Sequence, residues 1–357
     1  MSVATSAVRN DALAVQQLTC TAPGVIEWRE VPEPGIVAPT DAVVRPVAVA
    51  RCEIDPFLIL AGPTRASDFA LGHEAVAEVV AVGDEAGVAV GDLVLPAFQV
   101  SCGSCRQCTR GRSAICAEYP ILSDYGMEPL SGVEYGGMVS DLVRVPHART
   151  MLTLLPTGID PVAAASVPDN VLDGYRSVAP HLVSRPGAEV LIACHGIPSI
   201  GLYAAQTALA LGAPRVVVAS TDEGVLAVAE RIGAEPVRTD FVERLPTKFE
   251  LVVDCGVEPS GLQWALRATE PEGILHSVSS YLEETVPMPL RRLYTLGIEF
   301  HIGRAHSASL LPEVVALVAD GRLHPELVTT QVIDWDDAVE HFVDPTVKLV
   351  VTRPRGG

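Results

Sequence analysis

Short apolar runs broken by turn residues fill the first part of the chain, and a strand-then-helix rhythm fills the middle. From about Gly24 to Pro146 the segments DAVVRPVAVA, HEAVAEVVAVG, GDLVLPAF and SDLVRVP are separated by Gly, Pro and Asp, the spacing of a small, irregular antiparallel β domain. The pattern changes around Asp169. AEVLIA predicts a short apolar strand, HGIPSIG a turn, and LYAAQTALALGA a helix ending at a glycine, together one strand-turn-helix unit. PRVVVAS, FELVVDCG and EGILHSVSS continue as strands, with GVLAVAERIGA and GLQWALRAT as helices between them. Strands alternating with helices imply an α/β domain built on a parallel, doubly wound sheet. Beyond GIEFHIG, the helix-like SLLPEVVALVADG and the strand-like VKLVVTR do not continue that rhythm. Residues 304–357 are therefore assigned with 1–169 to one domain, into which a nucleotide-type domain, 170–303, is inserted.

Length agrees with two domains, since 357 residues exceed the roughly 100 to 200 of a single one. The net charge of -19 would repel a polyanion, and no Lys/Arg cluster offsets it, so nucleic acid is set aside as a partner. The N-terminal MSVATSAVRNDALAVQQ carries Arg and Asp where a signal peptide needs an apolar run, and no window approaches ~18 apolar residues. The expectation is a soluble, cytoplasmic protein without a membrane partner.

Four of the eight cysteines fall within CGSCRQCTRGRSAIC, as Cys102, Cys105, Cys108 and Cys116. Ligands two or three residues apart let a short loop wrap one zinc ion in a tetrahedron of thiolates. A pair of disulfides is the rival reading, but it suits an exported chain better than one without a signal peptide. Four thiolates leave no open coordination position, so this zinc would be structural.

Three other residues have ordinary explanations when taken singly. Cys52 could be a small core thiol, His73 a satisfied buried histidine, and Asp169 a cap for the segment that follows it. Taken together, C-x-x-D at Cys52 to Asp55, GHE at Gly72 to Glu74, the cysteine loop, D-x-x-x-x-G-Y at Asp169 to Tyr175 and G-x-x-x-x-G at Gly196 to Gly201 resemble the zinc-dependent medium-chain dehydrogenase/reductase family, the alcohol dehydrogenase type. The resemblance covers nearly the whole chain in the right order.

It implies a GroES-like irregular β catalytic domain joined to a Rossmann domain, two zinc ions per chain, a nicotinamide cofactor, a small-molecule substrate and a homodimer or homotetramer. By the same resemblance Cys52, His73 and Asp169 hold a catalytic zinc, with Glu74 close enough to act as a shifting fourth ligand. One position is left for substrate oxygen. Asp55 resembles the carboxylate that orients the zinc-binding histidine, although DP is also a good helix start with Asp as the cap.

The chain departs from the family at the proton relay. Where Ser or Thr usually passes the alcohol proton outward stands Ile54, which can neither donate nor accept it; a histidine further along is replaced by Phe57. Asp173 could offer a substitute acid or base, against the plainer reading of a solvated aspartate. Three functions follow: alcohol/carbonyl chemistry with the proton supplied by substrate or water, hydride delivery to a conjugated C=C, or a redox-silent binding protein.

The cofactor turn departs too. Gly196, Pro198, Ile200 and Gly201 form it, and Pro198 takes the slot of the glycine that lets pyrophosphate approach. The acidic residue expected about 20 positions later, which holds the ribose hydroxyls, falls at Ser220. Ser220 and Thr221 could hydrogen-bond a 2′-phosphate. No Arg or Lys adjoins them in sequence, and Asp222 and Glu223 would repel it; the balance tips slightly to NADP over NAD. Cys20, Cys194 and Cys255 are read as buried thiols, Trp264 as packing, and His195, His301 and His306 as surface or core residues.

Overall fold

The computed structural model describes residues 14–63, 68–281 and 284–355; most of the N-terminal stretch read against a signal peptide lies outside them. Six parallel strands form the nucleotide-type sheet. Their spatial order is Glu235–Arg238, Val216–Ser220, Val190–His195, Phe249–Gly256, Thr269–Ser277 and Glu299–Ile302. Numbered along the chain this is 3-2-1-4-5-6, the doubly wound order whose ligand crevice lies at the carboxyl ends of the central strands. A strand covered on both faces cannot alternate with polar residues. Val190, Ile192 and Cys194 accordingly join one buried cluster, while Leu191 and Ala193 join the other.

Helix Pro198–Ala210 covers the first face, packed against helix Leu172–Ser184 at a point where only glycine fits. A Cβ on Gly174 would meet the Ala204 nitrogen at 2.7 Å. Helix Pro259–Ala268 covers the second face, with Trp264 buried and its indole N–H donating to the Glu243 carbonyl at 2.7 Å.

The remaining strands form two other sheets. Val25–Pro32, Ala14–Ala22 and Phe69–Ala70 make a small antiparallel one. The larger runs Gln331–Asp334, Leu349–Thr352, Ala42–Ala50, Glu74–Val82, Leu93–Pro96 and Leu152–Leu154, with Val143–Val145 also paired to Ala42–Ala50. The C-terminal strands thus return to the sheet that begins near residue 42. Among the described residues no helix is long and apolar enough to cross a membrane.

Two buried histidines couple the helix layer to the parallel sheet. Arg176 Nη1 donates to His276 Nε2 at 2.8 Å, which leaves the proton of a neutral His276 on Nδ1, from where it is donated to His181 Nε2 at 2.8 Å. Protonating either ring would break this chain. Burial, then the Arg176 charge, holds His276 down to about 2, and burial, then His301, holds His181 down to about 4. Both fall below the ordinary 6.5, so under that pH the unfolded chain binds more protons than the folded one. Stability present above that pH is then lost by about 1.4 kcal/mol per histidine per pH unit. Asp124, raised by burial to about 6 from 3.8, and Glu74, raised by burial to about 8 from 4.5, each oppose this with one proton between those values. The two histidines are therefore read by difference: between pH 6.5 and 5 the wild-type melting temperature should fall relative to that of His276→Asn, and parallel profiles for the two proteins would contradict the neutral chain.

Candidate metal centres and cofactor turn

The four loop cysteines converge although the loop has little structure of its own, only the short turns Cys108–Arg110 and Ser113–Ile115. All eight cysteines of the chain are free. One sulfur from each of Cys102, Cys105, Cys108 and Cys116 lies within 4.8 Å of the others. The Cys102–Cys116 and Cys105–Cys116 separations are 3.5 and 3.9 Å; a tetrahedron with zinc–sulfur bonds of about 2.3 Å has edges of about 3.8 Å. Backbone amides of Cys108 and Ala117 pull the Cys105 thiol down to about 6. Burial, with the Cys105 and Cys116 sulfurs adding to it, pushes Cys108 up to about 12. Four thiolates sharing this volume require a cation, and the donor set fits zinc.

The second cluster is assembled from three parts of the fold. Cys52 sits just ahead of helix Ile54–Ala61, His73 and Glu74 at the entry to strand Glu74–Val82, and Asp169 in the π-helical turn Val167–Val171. Such turns recur at functional sites because the extra residue re-aims side chains. Here it lets the consecutive Asp169 and Asn170 reach the same point. Ligand atoms of Cys52, His73, Glu74 and Asp169 lie within 4.8 Å of one another, and all four residues are buried. His73 Nε2 is 3.3 Å from Asp169 Oδ2. Burial, then Asp169, pushes the Cys52 thiol up to about 12, and burial raises Glu74 to about 8 despite Lys348. Three acidic groups held so close, away from water, are costly unless a cation joins them. A soft thiolate, an imidazole and a carboxylate form a donor set that suits zinc.

Asp55, fully buried, accepts the Cys52 N–H on Oδ2 at 3.0 Å and turns Oδ1 toward His73 Nδ1 at 3.5 Å. The ring is thereby turned with Nε2 toward the cluster, while the Asp55 Oδ1 and His73 Nδ1 atoms do not complete a hydrogen bond. Asp55 is not the cap of the following helix, whose N-cap position is Glu53. Asp169 does not cap the next helix either, since its carboxylate faces His73 and the Asn170 amide. Phe98 walls the site, its ring 5.8 Å from that of His73.

Around the cluster lie residues the sequence reading missed. Asn170 Nδ2 donates to Cys52 Sγ at 3.2 Å and to Asp169 Oδ2 at 3.1 Å; its Oδ1 accepts from Ser199 Oγ at 2.9 Å and from Lys348 Nζ. Lys348, fully buried, also donates to Glu74 Oε1 at 2.8 Å and to the Arg51 carbonyl at 2.9 Å. Glu74 is therefore held by an ammonium. A lysine directly ahead of an apolar strand in VKLVV was the one signal available for this pairing.

Ile54 is partly buried and packs on the core, while Phe57 is 51% exposed; neither position carries a protic group. Asp173 is not solvated. It is buried and ion-paired with Arg176, which removes it as a free acid or base. His195 is tied to Asp254 at 2.8 Å, and His306 Nδ1 accepts the Ala114 N–H at 3.2 Å.

At the cofactor turn, Gly201 lies so close to the central strand that a Cβ would meet Cys194 Sγ at 2.4 Å, as the helix-packing glycine of a dinucleotide turn must. Pro198 opens helix Pro198–Ala210, Ile200 is buried beside Gly201, and Gly196 bridges to Gly256. Ser220 ends its strand and accepts the Asp222 N–H on Oγ at 3.1 Å, while Thr221 is exposed. Strand pairing sets Arg238 directly opposite Ser220, where it pairs with Glu223. A basic residue that does not adjoin Ser220 in sequence thus lies beside it in the sheet.

Residues 38–157 match the family model for the alcohol dehydrogenase GroES-like domain and residues 199–319 that for the zinc-binding dehydrogenase. A Mycobacterium tuberculosis protein named as a probable zinc-binding alcohol dehydrogenase is 26% identical over 325 residues, 89% of this chain and 82% of its own. An alcohol dehydrogenase from Thermus sp. ATN1 superposes with a TM-score of 0.83 at 25% identity, covering 94% of this chain and 99% of its own. A Sinorhizobium meliloti 1021 protein assigned as a zinc-binding dehydrogenase and bound to NADP superposes with a TM-score of 0.79 over 96% of this chain and 100% of its own; at 22% identity it shows the fold alone. With both family models matched in order, and with both cysteine-containing clusters assembled, the chain belongs to the zinc-dependent medium-chain dehydrogenase/reductase family and is an oxidoreductase of the alcohol dehydrogenase type.

Proposed function

We propose that the protein is a two-zinc oxidoreductase that moves hydride between a nicotinamide cofactor and an alcohol/carbonyl substrate, without a side-chain proton relay. Residues 1–169 and 304–357 form its catalytic domain, residues 170–303 its dinucleotide domain. The observation that carries the reading is the convergence of Cys52, His73 and Asp169 within 4.8 Å, joined through Asn170 and Ser199 to the first turn of the dinucleotide helix. Cys52, His73 and Asp169 would hold the catalytic zinc, and Cys102, Cys105, Cys108 and Cys116 the structural one. When bound, zinc supplies a Lewis acid toward the substrate oxygen and the nicotinamide supplies or accepts hydride. Asp55 holds the His73 ring, Asn170 steadies Cys52 and Asp169, and Phe98 excludes water from one side.

Glu74 is restrained by Lys348, so its approach as a fourth ligand requires that ammonium contact to loosen. Gly196, Pro198, Ile200 and Gly201 would shape the pyrophosphate turn, with Ser220 and Thr221 at the adenosine ribose. Arg238 opposite Ser220 favours NADP, provided its pairing with Glu223 opens to admit the 2′-phosphate. A homodimer or homotetramer is carried over from the family likeness alone.

The apolar Ile54 favours a second reading, conjugated C=C reduction, in which the substrate oxygen need not be protonated in the hydride step. Ile54→Ser separates the two. With alcohol/carbonyl chemistry, restoring a hydroxyl should raise alcohol oxidation about tenfold or more at neutral pH, toward the usual range for a positioned proton donor or acceptor. If steady-state assays instead find only enone reduction, unmoved by the substitution, the second reading replaces the first. Silence toward alcohols, ketones and enones with cofactor still bound would leave a redox-silent binding protein.

A further inference from the structure

Glu53 connects the metal cluster to the cofactor turn. Its Oε1 accepts the Ser199 backbone N–H at 2.7 Å, across 146 residues of chain. Ser199 is the second residue of helix Pro198–Ala210, and the first residue, a proline, has no N–H to offer. Ser199 therefore presents the first free donor of the helix, at the end where exposed amides and the helix dipole favour an anion. In a dinucleotide turn that position belongs to pyrophosphate. Here a carboxylate from the opposite wall of the cleft has taken it.

We propose that Glu53 sets cofactor affinity by occupying this anion position, so that a dinucleotide binds only by displacing its carboxylate from the Ser199 amide. The inference rests on the nicotinamide reading above. One amide proton cannot serve both acceptors at full strength, and two anions brought together there repel. Glu53 is only partly buried, so its flexible side chain has room to leave. Pro198 and Glu53 act in the same direction: the proline removes one donor and the carboxylate engages the next. The alternative is a purely structural cap, whose removal would lower helix stability and leave dinucleotide affinity where it was.

Isothermal titration of the zinc-loaded full chain with NAD+ and with NADP+ tests this, on wild type, Glu53→Gln and Glu53→Ala, with zinc content and melting temperature measured alongside. At least one dinucleotide should bind the variants about tenfold or more tightly than wild type, the range of one hydrogen bond to a charged group. Should the glutamine variant lose zinc through its neighbour Cys52, the alanine variant carries the comparison. Unchanged or weaker binding by zinc-replete variants overturns the role of Glu53 and leaves the nicotinamide reading standing. No binding of either dinucleotide by wild type or variants overturns both.

Discussion

Asp169→Ala should lower the zinc content from two ions per chain to one while the cysteine loop stays loaded, and kcat/KM should fall about 1,000-fold or more. Asp169 Oδ2 lies 3.3 Å from His73 Nε2 and accepts the Asn170 amide at 3.1 Å, so the carboxylate both closes the donor set and is itself held in place. Its removal leaves one thiolate and one imidazole. Glu74 already offers an oxygen near the cluster, but the fully buried Lys348 binds its Oε1 at 2.8 Å and draws on its charge, so it should be a weaker replacement. Changes that merely disturb the support of a ligand cost about 10- to 100-fold in metal affinity or activity, and losing the ligand itself should cost more. Asp169→Cys, which restores an anionic donor, should recover the second ion. Metal analysis of purified protein decides the matter, and two ions bound to the alanine variant would dismiss Asp169 as a ligand.

What was legible in the sequence were features with a strong local signature. Runs such as VLIAC and VVVAS could only be buried strands, and their alternation with helices led to the parallel sheet. The cysteine loop carries its own spacing. Less visible was helix Leu172–Ser184, because Gly174 and Pro180 are both poor helix formers; the packing of Leu172, Tyr175, Val178 and Leu182 overrides them. The short Glu235–Arg238 and Gln331–Asp334 strands lack apolar alternation and exist because a neighbouring strand receives them. Contacts across the fold were hidden for the same reason. Nothing near Ser220 announces Arg238, nothing near Ser199 announces Glu53, and Asn170 looks like any turn residue until the π-helical turn points it at Cys52.

Cys105→Ala should behave as the converse of the Asp169 change, and the contrast follows from how each site is held. The second cluster is embedded in strands and helices that pack without it. The cysteine loop is not: between Cys102 and Cys116 only short turns occur, and among its non-cysteine residues only Ser113 and Ala114 are buried. So little apolar area cannot offset the entropy of ordering the segment. On the proposed function its shape comes from metal binding, which in such loops contributes folding free energy outright. Losing Cys105, which also accepts the Ala117 N–H at 3.4 Å, should release the structural ion and cost several kcal/mol. That corresponds to a fall of about 10 °C in melting temperature, with new proteolytic cuts between residues 102 and 116. The loop touches the rest of the chain at Gly103, against Thr150, and through Ala114, which donates to His306 next to helix Ser307–Ala319, so disorder should spread to those neighbours before it reaches the parallel sheet. A Cys105→Ala protein that keeps its melting temperature and resists protease would show that the four sulfurs gather without an ion.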